Sequence, residues 1–256
     1  MTPKRLQIIA LPGIPEVEPG DDLARIIATA LAAEGEALAS GDIIVMAQKI
    51  VSKAEGRTVD LDTVMPSARA RSLATEVDKD PRLVDVILSE SAEVLRARTG
   101  LLIVVHRLGF VLANAGVDAS NVAAGDGRDR VLLLPEDPDG TCAKLRAAFK
   151  ETFGLDAGVI ICDSIGRAWR SGTVGIALGA AGLPSVVDLR GRPDRSGRPL
   201  KVTWVGLADG IAAAASLVMG EADEGTPVAL VRGYAAFAQS SGADALIRPK
   251  AQDLFR

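Results

Sequence analysis

The sequence predicts a mixed α/β fold: mixed sheets with flanking helices, of neither the Rossmann nor the P-loop kind. Three observations lead there. Short apolar runs of strand length alternate with helix-period segments in an irregular order. No Gly-x-Gly-x-x-Gly opens a helix after a strand, and no Gly-x-x-x-x-Gly-Lys-Ser/Thr occurs. The chain has 256 residues, 48% of them hydrophobic, enough for one large core or two smaller ones.

Leu6–Leu11 is a short strand stopped by Pro12-Gly13. Ile14–Val17 follows as extended loop. Asp21 and Asp22 open a helix through Ala33, with Leu23, Ile26, Ile27 and Leu31 on one face, and Gly35 ends it. Asp42–Ile50 reads as a strand that runs into Gln48–Arg57. Ser67–Val77 and Pro81–Arg96 read as two helices, the second opened by proline. Leu101–Val105 and Gly109–Ala113 form a hairpin across His106-Arg107-Leu108. A polar loop, Asn114–Asn121, precedes a short strand at Val131–Leu134. Asp137 starts a helix to about Phe153. Val159–Cys162 is a buried strand capped by Asp163, with Asp163–Gly172 as the loop after it. Strands follow at Val174–Leu178, Ser185–Leu189 and Lys201–Val205, with Gly191–Pro199 as a surface turn. Leu207–Met219 is an Ala-rich helix, and Val228–Val231 a late strand. No repeat of 20 to 50 residues is present.

Composition narrows the function. The net charge is −4 and no long basic run occurs, which argues against nucleic acid as a partner. No membrane span and no signal-peptide pattern is legible, so a cytoplasmic location is the expectation. Cys142 and Cys162 read as two small core residues, with a disulfide as the alternative. His106 is the single histidine, which leaves no Cys/His spacing for zinc. It lies in an apolar run and reads as structural.

Three carboxylates stand where an element gives way to polar loop: Asp118, Asp163 and Glu221. Rigid backbone with a reachable carboxylate suits a hard cation such as Mg²⁺ or Mn²⁺, which takes oxygen ligands. Each of them alone reads equally as a turn or cap residue. Arg167 and Arg170 close behind Asp163, with Gly166 and Gly172, suit a metal-bound polyphosphate or an ordinary solvated loop. Trp169 between them reads as a core anchor, with a stacking face as the alternative. Gln48, Lys49 and Lys53 leave a buried strand and could contact phosphates or a nucleobase, with surface decoration as the ordinary reading of a lysine there.

Seven blocks then occur in order: Gly13-Ile14-Pro15; Gly20–Leu23; Gln48–Arg57; Asn114–Asn121; Leu133–Asp139; Asp163-Ser164-x-Gly166-Arg167; and Met219-Gly220-Glu221. Together they resemble the coenzyme F420-0:L-glutamate ligase (gamma-glutamyl ligase) family over roughly residues 6 to 233. The resemblance implies a GTP-dependent ligase that activates the acceptor carboxylate as an acyl phosphate. L-glutamate then displaces phosphate, GDP having been released, and a second glutamate follows through a gamma-glutamyl linkage. It also implies Mg²⁺ or Mn²⁺, K⁺ and a homodimer.

Carried over by residue, the resemblance makes Asp118, Asp163, Ser164 and Glu221 metal contacts. It makes Ile14, Pro15, Glu16, Val17, Gln48, Lys49, Lys53 and Asn121 GTP contacts, together with Met219, Gly220, Glu221, Ala222, Asp223, Glu224, Gly225 and Thr226. Asp118, Asp163, Arg167 and Lys53 are the expected catalytic set. Ser164 stands where the family commonly has Thr and keeps the hydroxyl. Cys162 stands where Thr or Ser is expected and gives up a supporting hydrogen bond. One ligase domain over residues 1–256 is expected, divisible into two subdomains, without the nitroreductase-like domain that some relatives append. Two other readings stay open: the same chemistry on another carboxylate, and a non-catalytic nucleotide- or metal-binding module.

Overall fold

The computed structural model describes residues 5–119, 128–234, 237 and 239–254. In chain order the strands and helices are β1 Gln7–Ala10, α1 Leu23–Ala33, β2 Ile43–Ala47, α2 Gln48–Ala54, β3 Thr58–Asp60, α3 Ala68–Val77, α4 Pro81–Ser89, β4 Ser91–Arg98, β5 Leu101–His106, β6 Val111–Ala113, β7 Arg130–Leu132, α5 Pro138–Phe153, β8 Gly158–Arg167, β9 Arg170–Ala181, β10 Val186–Asp188, β11 Trp204–Gly206, α6 Leu207–Met219 and β12 Val228–Arg232.

A five-stranded sheet ordered β1-β12-β2-β8-β9 forms the centre. β2 and β8 pair parallel, while the other neighbours pair antiparallel. β1, β2 and β8 therefore point the same way. The sheet is covered on both faces, which is why β2 reads as one unbroken apolar run rather than an alternation. Ile44 and Met46 face the side closed by α1 and α5, and Ile43 and Val45 face the side closed by α6. The Ala-rich helix lies close on the sheet: a Cβ on Gly175 would sit 2.8 Å from the Ala212 carbonyl oxygen.

Asp22 caps α1, its carboxylate accepting from the Arg25 N–H at 3.0 Å. Asp137 caps α5 through the Gly140 N–H at 3.0 Å, with Pro138 in the first turn. A second region packs α3 and α4 on the sheet β4-β5-β6 around Val77, Val84, Ile87, Leu102 and Val104. The ribbon β3-β7 joins it to the centre.

Several expectations are corrected. The helix expected over Pro81–Arg96 stops at Ser89, and Ser91–Arg98 is strand β4, paired with β5. Its Ala, Leu and Arg content favours helix, but pairing along β5 overrides that propensity. The strand expected to Ile50 ends at Ala47, and Gln48 begins α2. The loop expected over Asp163–Gly172 is instead the far half of the β8–β9 hairpin. Asp163 therefore sits inside a strand rather than capping one. Trp169 is no core anchor: it is 80% exposed at the hairpin turn.

Candidate functional site

The carboxyl ends of β1 and β2, the middle of β8 at Cys162–Ser164 and the amino end of β12 meet at one edge of the central sheet. The chain leaves β1 into Leu11–Val17, β2 into α2, and enters β12 from the loop that follows α6. A cavity of about 540 Å³ opens there. This is where open α/β sheets commonly hold ligands, because strand ends place side chains on rigid backbone around a crevice.

Asp118, Asp163, Ser164 and Glu221 all line this cavity. So do Lys49 and Lys53, four residues apart and on one face of α2. The expected segments Ile14–Val17 and Met219–Thr226 line it as well, as does Gln48. Asn121 lies outside the described residues. Arg167 does not reach the cavity; its Nη1 donates to the Gly172 carbonyl at 3.1 Å within the hairpin. Thr173 and Ser216 line the cavity without having been singled out, and Cys162, singled out only as a core residue and a neighbour of Asp163, lines it too. The parallel register Ala47↔Cys162 carries Cys162 there, and sequence spacing holds no trace of that pairing.

Asp118 arrives from the second region. Its backbone exchanges two hydrogen bonds with Leu132, at 3.0 and 2.8 Å, which fixes it beside the centre. The chain reaches it through Asn114 and Ala115, both at positive φ (51° and 54°). Asn tolerates that conformation, whereas Ala at such φ is strained. Lys49 Nζ meets Asp118 Oδ2 at 2.7 Å, joining the two regions across the cavity. Lys53 pairs with Glu16. The Ser164 hydroxyl donates to Glu221 Oε1 at 2.5 Å, and the Ser164 N–H donates to Asp163 Oδ1 at 2.9 Å. Gly220 turns the chain out of α6 at φ +76°, and a Cβ there would overlap the Glu224 side chain.

Burial pushes the Asp163 carboxyl up to about 6, and the negative charges of Asp118 and Glu221 add to that; the Ser164 N–H and Lys49 oppose it. The three acids thus sense one another across the cavity. Among the described residues, no three metal-ligating side chains of the His, Cys, Asp or Glu type stand close enough to cage an ion unaided. Oxygen donors that share a cavity but leave the shell incomplete suit Mg²⁺ or Mn²⁺, which keep waters and phosphate oxygens as further ligands. The residues present fit such a cation. Burial also pushes the Cys162 thiol up to about 12, with the Asp163 and Glu221 charges contributing, so near neutrality it is no thiolate nucleophile. Both cysteines are free and buried, so the small-core reading holds and the disulfide alternative does not.

His106 is fully buried. Its Nδ1 accepts from the Leu108 N–H at 3.0 Å, and its Nε2 lies 3.3 Å from Glu90 Oε2 without hydrogen-bond alignment. An accepting Nδ1 requires the neutral ring, and burial lowers its pKa to about 4. This histidine is structural and lies outside the cavity lining.

A family profile described as F420-0:gamma-glutamyl ligase matches residues 13–233. The chain belongs to this family. Three of its relatives in the gamma-glutamyl ligase family carry the name coenzyme F420:L-glutamate ligase. The Methanothermobacter thermautotrophicus protein is 45% identical over 98% of this chain and 99% of its own length. That of Methanopyrus kandleri is 46% identical over 98% of both chains. That of Archaeoglobus fulgidus is 40% identical over 98% of this chain and 97% of its own. Within the gamma-glutamyl ligase family, then, this chain is a full-length match to named ligases. Among the described residues no helix is long and apolar enough to cross a membrane.

Proposed function

We propose that this chain is a GTP- and divalent-metal-dependent ligase that joins L-glutamate to coenzyme F420-0 and then extends it through a gamma-glutamyl linkage. The observation that carries the reading is the single cavity lined by Asp118, Asp163 and Glu221 together with Lys49 and Lys53, in a chain of this family. Ile14–Val17 and Met219–Thr226 both line it and would cradle the nucleotide.

Divalent cations, each held by only some of Asp118, Asp163, Glu221 and the Ser164 hydroxyl with waters and phosphate oxygens completing the shell, would neutralise the triphosphate and orient its terminal phosphoryl group. Lys49 and Lys53 add positive charge from α2 where phosphate oxygens would lie. The acceptor carboxylate attacks the terminal phosphoryl group, the bond to GDP breaks, and an acyl phosphate forms on the acceptor. The glutamate amine then attacks that carbonyl and expels phosphate. No protein nucleophile is needed, in keeping with the protonated Cys162 and the distant His106. A homodimer, a K⁺ requirement, a cytoplasmic location and a single ligase domain belong to the same reading.

Incubation with F420-0, GTP, Mn²⁺ and L-glutamate is expected to give GDP, phosphate and an acceptor heavier by glutamyl units in mass spectrometry. Hydroxylamine in place of glutamate is expected to trap the acyl phosphate as a hydroxamate. No mass increase with either Mn²⁺ or Mg²⁺ would reject the reading, and turnover of a different carboxylate instead would move it to another acceptor.

A further inference from the structure

The β8–β9 hairpin does not stop at the cavity. Ser164 and Thr173 line the cavity, and the register then runs Gly166↔Thr173 and Arg167↔Arg170 to the turn at Ala168-Trp169. At about 3.3 Å per residue, Arg167 lies roughly 10 Å along the strand from Ser164. Residues 166–173 are all exposed, and no acidic residue occurs among them. Trp169 presents its ring at the tip with φ +59°, a conformation bulky residues rarely adopt. Outward from the cavity the order is therefore carboxylate site, arginine pair, exposed indole. An arm built only to close a hairpin would place glycine or asparagine at that positive φ.

We propose that this arm is the docking surface for the acceptor. The ligand it fits is a planar heteroaromatic molecule with a further negative charge between its ring and its reacting carboxylate. Trp169 stacks on the ring, while Arg167 and Arg170 take the intervening anion. The carboxylate then reaches Asp163 and Ser164. The charge of the tip matches that ligand, and the tip is continuous with the cavity. This rests on the reading that the activated carboxylate sits beside Asp163.

The test combines binding with kinetics in the full chain. Trp204→Phe leaves Trp169 as the only tryptophan of the two. Titration of that protein with F420-0 is expected to quench its fluorescence. Trp169→Ala is expected to raise the acceptor KM about 10-fold, as loss of one aromatic stack does, leaving the GTP KM within about twofold. Trp169→Phe is expected to restore most of it, and Arg167→Glu with Arg170→Glu to raise the acceptor KM further. Unquenched fluorescence with an unchanged acceptor KM would overturn the proposal. So would a changed sedimentation coefficient with all KM values rising together, which would make the arm a contact between copies of this chain. Ligase activity without quenching removes the arm alone; quenching without ligase activity removes the reading of the cavity.

Discussion

Replacing Glu90 with alanine should loosen the joint between the two regions that share the cavity. Glu90 is 7% exposed and accepts from Arg57 Nη2 at 2.8 Å and Arg107 Nε at 3.1 Å. Burial alone would raise its pKa, but the two guanidinium groups outweigh it and hold the carboxyl below the usual range. Alanine would leave two cations facing each other beside the buried His106. Breaking a buried pair by removing one partner costs about 3–5 kcal/mol. Arg57 and Arg107 keep 19% and 34% of their side-chain exposure, and each keeps a carbonyl acceptor, Leu134 for Arg57 and Glu136 for Arg107. The lower end, about 3 kcal/mol, therefore applies. For a chain of this size that lowers Tm by roughly 6–12 °C. Calorimetry measures it, with the urea midpoint falling at constant m as the companion readout. Glu90→Gln keeps an acceptor oxygen and should lose less. A Tm fall under about 2 °C for Glu90→Ala would refute the claim that this network holds the regions together.

Other outcomes follow from the same contacts. His106 should stay neutral from pH 7.5 to 5; since it is the only histidine, its ring-proton NMR signal reports this directly, and a midpoint near 6.5 would contradict the assigned tautomer. The unfolded chain takes up that proton near 6.5 and the folded chain only near 4, so the His106 contribution is intact above 6.5 and shrinks by about 2 kcal/mol by pH 5. Asp163, raised to about 6, works in the opposite direction, gaining stability as pH falls, so a global unfolding curve would blur the two. Lys49→Met should raise the GTP KM about 10-fold or more, the scale of one charge-assisted contact; an unchanged GTP KM would place the triphosphate elsewhere. Gly220→Ala, strained at φ +76° and crowding Glu224, should cost about 1–3 kcal/mol and weaken nucleotide binding; unaltered stability would show that the loop relaxes freely.

Where local chemistry and tertiary packing agree, the sequence already discloses the element. Asp22 and Asp137 cap helices that their patterns announce, and the hairpin across His106 follows from two apolar runs around a short turn. β4 was hidden because residues suited to helix are held by pairing with β5. The outer half of the β8–β9 hairpin was hidden for another reason. It is solvated on all sides, so it lacks the alternation that marks a half-buried strand. α2 was hidden because its apolar residues continue the run of β2, and with it the shared face of Lys49 and Lys53. Of the site, the three acids were legible through the family's motifs, although Asp163 lies inside β8 and not at a strand end as expected. Their common cavity was not, because it depends on the parallel register of β2 with β8 and on the bridge from Asp118 to Leu132.

The central claim is that Asp118, Asp163 and Glu221 act as one cation–triphosphate centre, and binding of Mn²⁺ in the presence of GTP, followed by electron paramagnetic resonance, tests it most directly. The account predicts tight, GTP-dependent Mn²⁺ binding that Asp118→Asn, Asp163→Asn and Glu221→Gln each weaken at least about 10-fold in folded protein. Undiminished Mn²⁺ binding in all three variants would contradict it.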